Sequence, residues 1–247
     1  MELDTRPKVL FTIPNLGWIR VEHLQLLNKV WNDERFKVDF WFPAFVPLEN
    51  GQAKVIKKML EDGYDYWANI DDDTISDWNI LDLIDFDKDV ISAPAPGFVK
   101  STGEKTKLLH WMAYDSDEES GKFKAHADKD GLQEVGAIGG ACFVIARRVF
   151  EHPDMQHGAF NRILNDDGTV EFGNDISFSI RAKKAGFRLW CHYDYWCHHY
   201  KEVDLQNVLQ MVEFAGNFAE RHDEQVAKAK KAAALETQTP AEGTTDG

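Results

Sequence analysis

Three consecutive carboxylates, Asp71, Asp72 and Asp73, interrupt the aromatic and apolar run YDYWANIDDDTISDW at residues 64–78. Adjacent like charges repel, and carboxylates seldom enter a folded interior unless something pairs with them. Side chains alternate along an extended segment, so Asp71 and Asp73 are expected on one side and Asp72 on the other. Two carboxylates close together on one side make a site for a hard divalent cation such as Mg2+ or Mn2+. The competing reading is a solvated Asp-rich turn that caps the stretch ISDWNILDLI, a place where Asp is favoured. A second cluster, CHYDYWCHH at 191–199, packs Cys191, His192, Cys197, His198 and His199 together, which suggests zinc. A zinc knuckle wants a tight ligand pair and a second pair across a loop. This run instead alternates with Tyr193, Tyr195 and Trp196 like a strand, so Cys142 and Cys191 are expected in the core.

These groups need a frame, and the flanking pattern supplies one. KVLFTIP (8–14) is a short buried-strand pattern closed by Pro14. IRVEHLQLLNKVW follows with Val21, Leu24, Leu27 and Trp31 at helical spacing. FKVDFWF predicts a second strand, GQAKVIKKMLEDG a helix ending at Gly63, and YDYWANI a third strand. WNILDLI is a short helix and DVISAP a fourth strand. Strands alternating with helices indicate βαβ units, and hence an α/β fold with a mostly parallel sheet flanked by helices. In such sheets ligands bind beyond the carboxyl ends of the strands, where Asp71, Asp72 and Asp73 fall. From about Gly97 to Leu132 the chain turns polar, with LLHWMAY as its strand-like part and a loop expected at DSDEESG. Order returns with VGAIGGACFVIARRVFE, the helix GNDISFSIRAKKAG and a last strand in FRLWCHYDYWCHH. A long amphipathic C-terminal helix and a disordered tail close the chain.

Composition narrows the class of partner. Of 247 residues, 43% are hydrophobic and 12% aromatic, enough for a substantial core. The net charge is −14, opposite to the balance expected of a protein whose main partner is a polyphosphate, so nucleic acid is a poor default. Three cysteines are no disulfide framework and suit a reducing compartment. No run approaches a membrane span, and the N-terminus lacks the apolar core of a signal peptide, so the expectation is a cytoplasmic protein.

YDYWANIDDDT, VGAIGGACFVIARRVFE and FGNDISFSIRAKKAGFRLWCHYDYWCHH resemble three successive landmarks of GT-A-fold glycosyltransferases, nearest to the inverting, family 2-like kind. The first is similar to the DxD motif. The second resembles the glycine-containing loop lining the donor sugar, with its R-R-x-F helix. The third resembles the x-E-D helix start, its A-G-F continuation and the C-terminal metal-binding His. VLFTIPNLGWI is likewise similar to the first strand and its nucleotide-facing turn. The landmarks keep the family's order across residues 8–200.

The resemblance implies a GT-A-like catalytic domain over 1–230. Within it, 8–96 would be the nucleotide-binding half, 97–135 a variable acceptor-side insertion and 136–204 the catalytic half. The C-terminal helix would be 205–230, with a disordered tail at 231–247. It implies a metal-dependent, inverting transfer of a sugar from a nucleotide-diphosphate donor to an acceptor hydroxyl. The metal, Mn2+ or Mg2+, would be held by Asp71, Asp73 and a histidine. Counted from A-G-F, His199 falls at the family's position and His198 one residue early. Asp71 and Asp72 would also lie against the donor, and Gly139 and Gly140 would bring backbone close to its sugar. Ile13, Pro14 and Asn15 would face the nucleobase. Gln52 and Lys54 stand near an Arg that many members direct at the nucleotide, a departure here. Asp175 matches the Asp of E-D and becomes the general base; read without the resemblance, it or Asn174 is a helix cap. Asn174, where the family commonly has an acid, is the second departure.

Two rivals follow from the same residues. A nucleotidyltransferase making nucleotide sugars would want a Gly-, Arg- and Lys-bearing phosphate loop after the first strand, and PNLGWIRVEH supplies Gly17 and Arg20. A non-catalytic carbohydrate-binding module on this fold would have no use for Asp71, Asp73, Asp175 and His199 together. The acceptor stays open between a glycan, a lipid, a protein and a modified base.

Overall fold

The structure is a computed structural model that describes residues 4–98, 109–117 and 121–202, with 205–206, 208–209 and 212–213 beyond them. The chain divides into two compact units, Met1–Tyr200 and Lys201–Gly247. In the second unit the described positions from 205 on are helical, and most of the expected C-terminal helix and all of the tail lie outside the described residues.

In chain order the strands are β1 (Lys8–Thr12), β2 (Lys37–Trp41), β3 (Tyr66–Ile70), β4 (Thr74–Ile75), β5 (Val90–Ser92), β6 (Pro96–Phe98), β7 (Leu109–Trp111), β8 (Ala113–Ser116), β9 (Phe123–Ala125), β10 (Leu132–Val135), β11 (Ala137–Ile138), β12 (Cys142–Ala146), β13 (Ile163–Leu164), β14 (Val170–Phe172), β15 (Leu189–His192) and β16 (His198–His199). The α-helices are α1 (His23–Trp31), α2 (Leu48–Asp62), α3 (Arg147–Glu151) and α4 (Asn174–Lys184), and Ile80–Phe86 is a 3-10 helix.

Seven strands form the central sheet in the order β10-β15-β5-β12-β3-β1-β2. β1, β2 and β3 are mutually parallel, as are β5 and β15, while β12 and β10 run against their neighbours. Both faces are covered, which is why the strands read as continuous apolar runs. Leu10, Trp67 and Ile145 pack with Val55, Ile56 and Met59 of α2, Phe150 of α3 and Phe178 of α4. On the other face Val9, Phe11, Ala68 and Val144 meet Leu26 and Val30 of α1 and Ile80, Leu81 and Leu83 of the 3-10 helix. Each such apolar side chain contributes about 1.5–3 kcal/mol by leaving water. The expected α/β class, a mostly parallel sheet flanked by helices, is borne out.

Three local readings change. The expected face of α1 was Val21, Leu24, Leu27 and Trp31, yet Val21 and Trp31 are each 71% exposed and His23, Leu26 and Val30 are buried. A buried polar residue leads that face, and apolar periodicity does not count it. Trp31 instead stacks on Phe40 of the edge strand β2, with ring centroids 5.8 Å apart. WNILDLI winds as a 3-10 helix, whose Asn79 side chain accepts from the Leu81 N–H. The polar stretch after Gly97 carries β7, β8 and β9, and β10 at its end joins the central sheet beside β15.

Candidate functional site

The parallel strands β1, β3, β5 and β15 end on one edge of the sheet, and the loops leaving them gather there with the entry to β12. β3 delivers Asp71, whose N–H donates to the Ala141 carbonyl just before β12 at 2.9 Å. The three acids do not continue as a strand. The Thr74 N–H returns to the Asp71 carbonyl at 3.1 Å, so Asp71 to Asp73 form a turn between β3 and β4. The simple alternation expected for them therefore fails. Proximity of the outer two survives: burial pushes the Asp71 carboxyl up to about 7, and Asp73 adds to that more than Asp72 does. An Asn69 hydrogen bond and the His199 ring pull the other way.

A buried polar relay holds this turn from behind. The Trp67 indole N–H donates to the Thr12 hydroxyl at 2.7 Å, Thr12 donates to the Asn69 side-chain oxygen at 2.7 Å, and the Asn69 amide reaches Asp71 Oδ1 at 3.3 Å. The His23 ring contacts the Asp71 carbonyl at 3.2 Å from α1. Neither Asn69 nor His23 stood out in the sequence: Asn69 is a lone polar residue in an apolar strand whose partner Thr12 appears only when β1 pairs with β3, and His23 is one polar residue among several whose partner lies beyond β3.

Strand register separates the two histidines. β16 pairs with β4 so that His199 opposes Thr74 and His198 opposes Ile75. His199 Nε2 lies 3.4 Å from Asp73 Oδ1, while its Nδ1 sits 2.6 Å from the Pro96 carbonyl. A carbonyl only accepts, so Nδ1 carries a hydrogen and Nε2 is the nitrogen aimed at Asp73, the orientation that a metal-ligating imidazole adopts once Nε2 has given up its proton. His198 turns outward to Asp77 at 3.1 Å. Among the described residues no group of three or more His, Cys, Asp or Glu is gathered tightly enough to hold a metal ion by itself. The Asp73–His199 pair, with Asp71 behind it, fits Mg2+ or Mn2+ in a different sense, because such ions are commonly held by one or two carboxylates plus substrate phosphates and water. The cysteine–histidine run makes no zinc cluster there: Cys142, Cys191 and Cys197 are buried thiols.

Asp175 stands in the first turn of α4. Its Oδ1 accepts from the Ile176 N–H at 2.8 Å, and the Gly140 N–H also bonds to it. Burial raises its carboxyl above the ordinary value against these hydrogen bonds. Gly140 is open enough that a Cβ there would touch the Asp175 Cβ at 3.4 Å, whereas one on Gly139 would fall 2.6 Å from Met112 Cβ and 2.7 Å from its carbonyl oxygen. The pair thus divides: Gly139 permits strand contact and Gly140 faces Asp175. Tyr114, pushed up to about 12 by burial and by the Asp175 charge, also stands near, and its hydroxyl lies 3.1 Å from His110 Nε2. Sequence reading missed both, since nothing local ties β7 and β8 to α4.

The remaining nucleotide-side residues scatter. Ile13 is fully buried and Pro14 and Asn15 half-buried, with the Asn15 oxygen accepting from the Gly17 N–H at 2.8 Å. Gln52 is buried and accepts from the Asn174 amide at 3.3 Å, next to Asp175. Lys54 is exposed, with its ammonium 3.8 Å from the centre of the Phe45 ring.

No family model and no curated protein matches the chain. Among solved structures it is similar to A197 from STIV, at 16% identity and a TM-score of 0.50, over 79% of this chain and 86% of that one. It also aligns with GalNAc-T7 in complex with UDP, GalNAc and Mn2+ at 14% identity and a TM-score of 0.47. That alignment covers 81% of this chain but 44% of the other, so the chain spans less than half of GalNAc-T7. UDP-glucose pyrophosphorylase bound to UDP-glucose aligns at 10% identity and a TM-score of 0.39, over 88% of this chain and 100% of that one. The likeness to A197 is one of fold alone, and the other two align too loosely to add to it.

Proposed function

We propose that this chain is a metal-dependent glycosyltransferase that moves a sugar from a nucleotide-diphosphate donor to an acceptor hydroxyl with inversion. The observation that carries the reading is the pairing at one sheet edge of the Asp71–Asp73 turn, faced by His199, with Asp175 next to Gly140. Asp73 and His199, with Asp71, would hold Mn2+ or Mg2+. When bound, such an ion neutralises the charge that grows on the departing diphosphate.

The rest of the chemistry belongs to side chains and backbone of the chain. The Asp175 carboxylate takes the proton of the acceptor hydroxyl as that oxygen bonds to the anomeric carbon. The bond from that carbon to the diphosphate oxygen breaks, and the nucleotide diphosphate leaves with the electron pair. A carboxyl whose affinity for the proton is raised by burial suits this work, because a base is most effective when its pKa approaches the working pH. The Gly140 and Ile176 N–H groups orient the carboxylate, and the Asn69–Thr12–Trp67 relay keeps the Asp71 turn in place.

Calorimetry of UDP and GDP with and without Mn2+ tests the reading. Wild-type protein is expected to bind at least one of them only with the metal, and Asp73→Asn to lose that binding while keeping its melting temperature. Metal-dependent affinity of wild-type strength in Asp73→Asn refutes it.

A further inference from the structure

A cavity of about 280 Å3 opens beside the Asp73–His199 pair, walled by Pro96, Trp111, Trp196, His198, His199 and Tyr200. Backbone register builds it: Trp111 of β7 opposes Pro96 of β6, and the Pro96 carbonyl is the oxygen that orients His199. The Trp111 and Trp196 rings converge with centroids 6.5 Å apart and planes tilted by 54°. Trp111 backs onto the core, while Trp196 stays 41% exposed and meets His198 edge-on at 4.9 Å.

The shape and lining select a ligand class. At roughly 30 Å3 per water molecule the space holds about nine waters, which suits one monosaccharide ring and not an acyl chain or a peptide helix. No Lys or Arg is among the described lining residues and the Arg20 guanidinium is engaged on the Tyr200 ring, 4.0 Å from its centre, so a phosphate or carboxylate would rest on an ion at Asp73 and His199 and not on these walls. Two tilted indoles present negative ring faces, which attract the polarised C–H face of a pyranose, and the imidazole edges beside them suit its hydroxyl rim. β7 and β8 also link this cavity to the proposed base: Trp111 walls the cavity, its neighbour His110 bonds to Tyr114, and Tyr114 stands beside Asp175.

We infer that this cavity is the acceptor subsite and that the acceptor is a glycan, whose terminal pyranose stacks on Trp196 and Trp111. The acceptor role rests on the transferase reading above; saccharide binding by the cavity does not.

Saturation-transfer NMR tests it on metal-free protein without nucleotide. The probes are the methyl α- and β-pyranosides of glucose, galactose, mannose and N-acetylglucosamine at millimolar concentration. At least one is expected to bind, with saturation strongest on its ring C–H protons. Trp196→Ala is expected to weaken that binding about tenfold, the scale of one lost aromatic stacking contact, and Trp196→Phe to retain most of it. Because Trp196 is exposed, both variants should melt with the wild type. Absence of binding across the panel, or equal binding by Trp196→Ala, overturns the inference. A parallel calorimetric comparison separates the two sugars of the reaction. If Trp196→Ala weakens UDP-glucose relative to UDP, the cavity holds the donor sugar and the acceptor assignment falls. The transferase reading fails on a separate measurement, the UDP–Mn2+ affinity of Asp73→Asn, which uses no glycoside.

Discussion

Replacing Asp175 by Asn separates a base from a helix cap. The amide keeps the size of the side chain and an oxygen that can accept from Ile176 N–H, now at 2.8 Å, so α4 loses little of its start. What disappears is the ability to take a proton. A positioned general base is worth about 10²–10⁴ in rate, which is about 2.7–5.5 kcal/mol of barrier. Stability should move differently. The folded Asp175 carboxyl binds its proton more tightly than an exposed one, because burial outweighs the hydrogen bonds from Ile176 and Gly140. Folding stability therefore falls as pH rises from the ordinary carboxyl value through the raised one, and the cost is fully present above that window. The negative charge at a helix N-terminus offsets part of it, about 0.3–1 kcal/mol. Asp175→Asn is thus expected to melt at or slightly above the wild-type temperature at neutral pH and to lose this pH slope. Initial rates of nucleotide diphosphate release at saturating donor, UDP–Mn2+ calorimetry and a pH series of melting curves read all three quantities. The transferred sugar should carry the opposite anomeric configuration by NMR. Near-normal turnover in the variant returns Asp175 to a helix cap, and retained configuration removes the base role.

The two histidines should part in the same way that their strand register parts them. His199→Ala is expected to lose Mn2+-dependent nucleotide affinity, and His198→Ala, whose partner is the surface Asp77, to keep it; calorimetry giving the reverse order would place the register one residue off. The glycines should divide between stability and activity. Gly139→Ala drives a Cβ against backbone at 2.7 Å and should lower stability by about 1–3 kcal/mol in denaturant titration. Gly140→Ala, at an ordinary 3.4 Å from Asp175, should fold nearly as well while slowing transfer; equal melting of the two variants would contradict this division.

What could be read along the chain was whatever a single element carries within itself. Gly63 ends α2 in the left-handed region, with φ of 70°, and a glycine stop after GQAKVIKKMLED is local information. The buried runs of β1 and β3 are local too, since strands covered on both faces need apolar side chains at every position. The inward face of α1 was misread because its leading residue is His23, which is buried by a bond to the Asp71 carbonyl some fifty residues away. The acid turn was misread for a related reason: three carboxylates in sequence look extended until the Thr74 N–H folds back onto Asp71. The site follows the same division. Asp71 and Asp73 stand out by residue type, as carboxylates breaking an aromatic and apolar run, whereas Asp175 as a base and His199 as the partner of those acids stood out only through the family resemblance. The groups that orient them are ordinary residues whose meaning comes from pairing across strands. Thr12 and Asn69 matter because β1 lies against β3, and Pro96 matters because its carbonyl meets His199. Tyr114 matters because β8 pairs with β11, just before Gly140, the glycine that meets Asp175. Two of the eight tryptophans belong with this second kind. Trp111 and Trp196 lie far apart in the chain and are unremarkable there, and they become a binding wedge only once β6 and β7 pair beside the histidine strand.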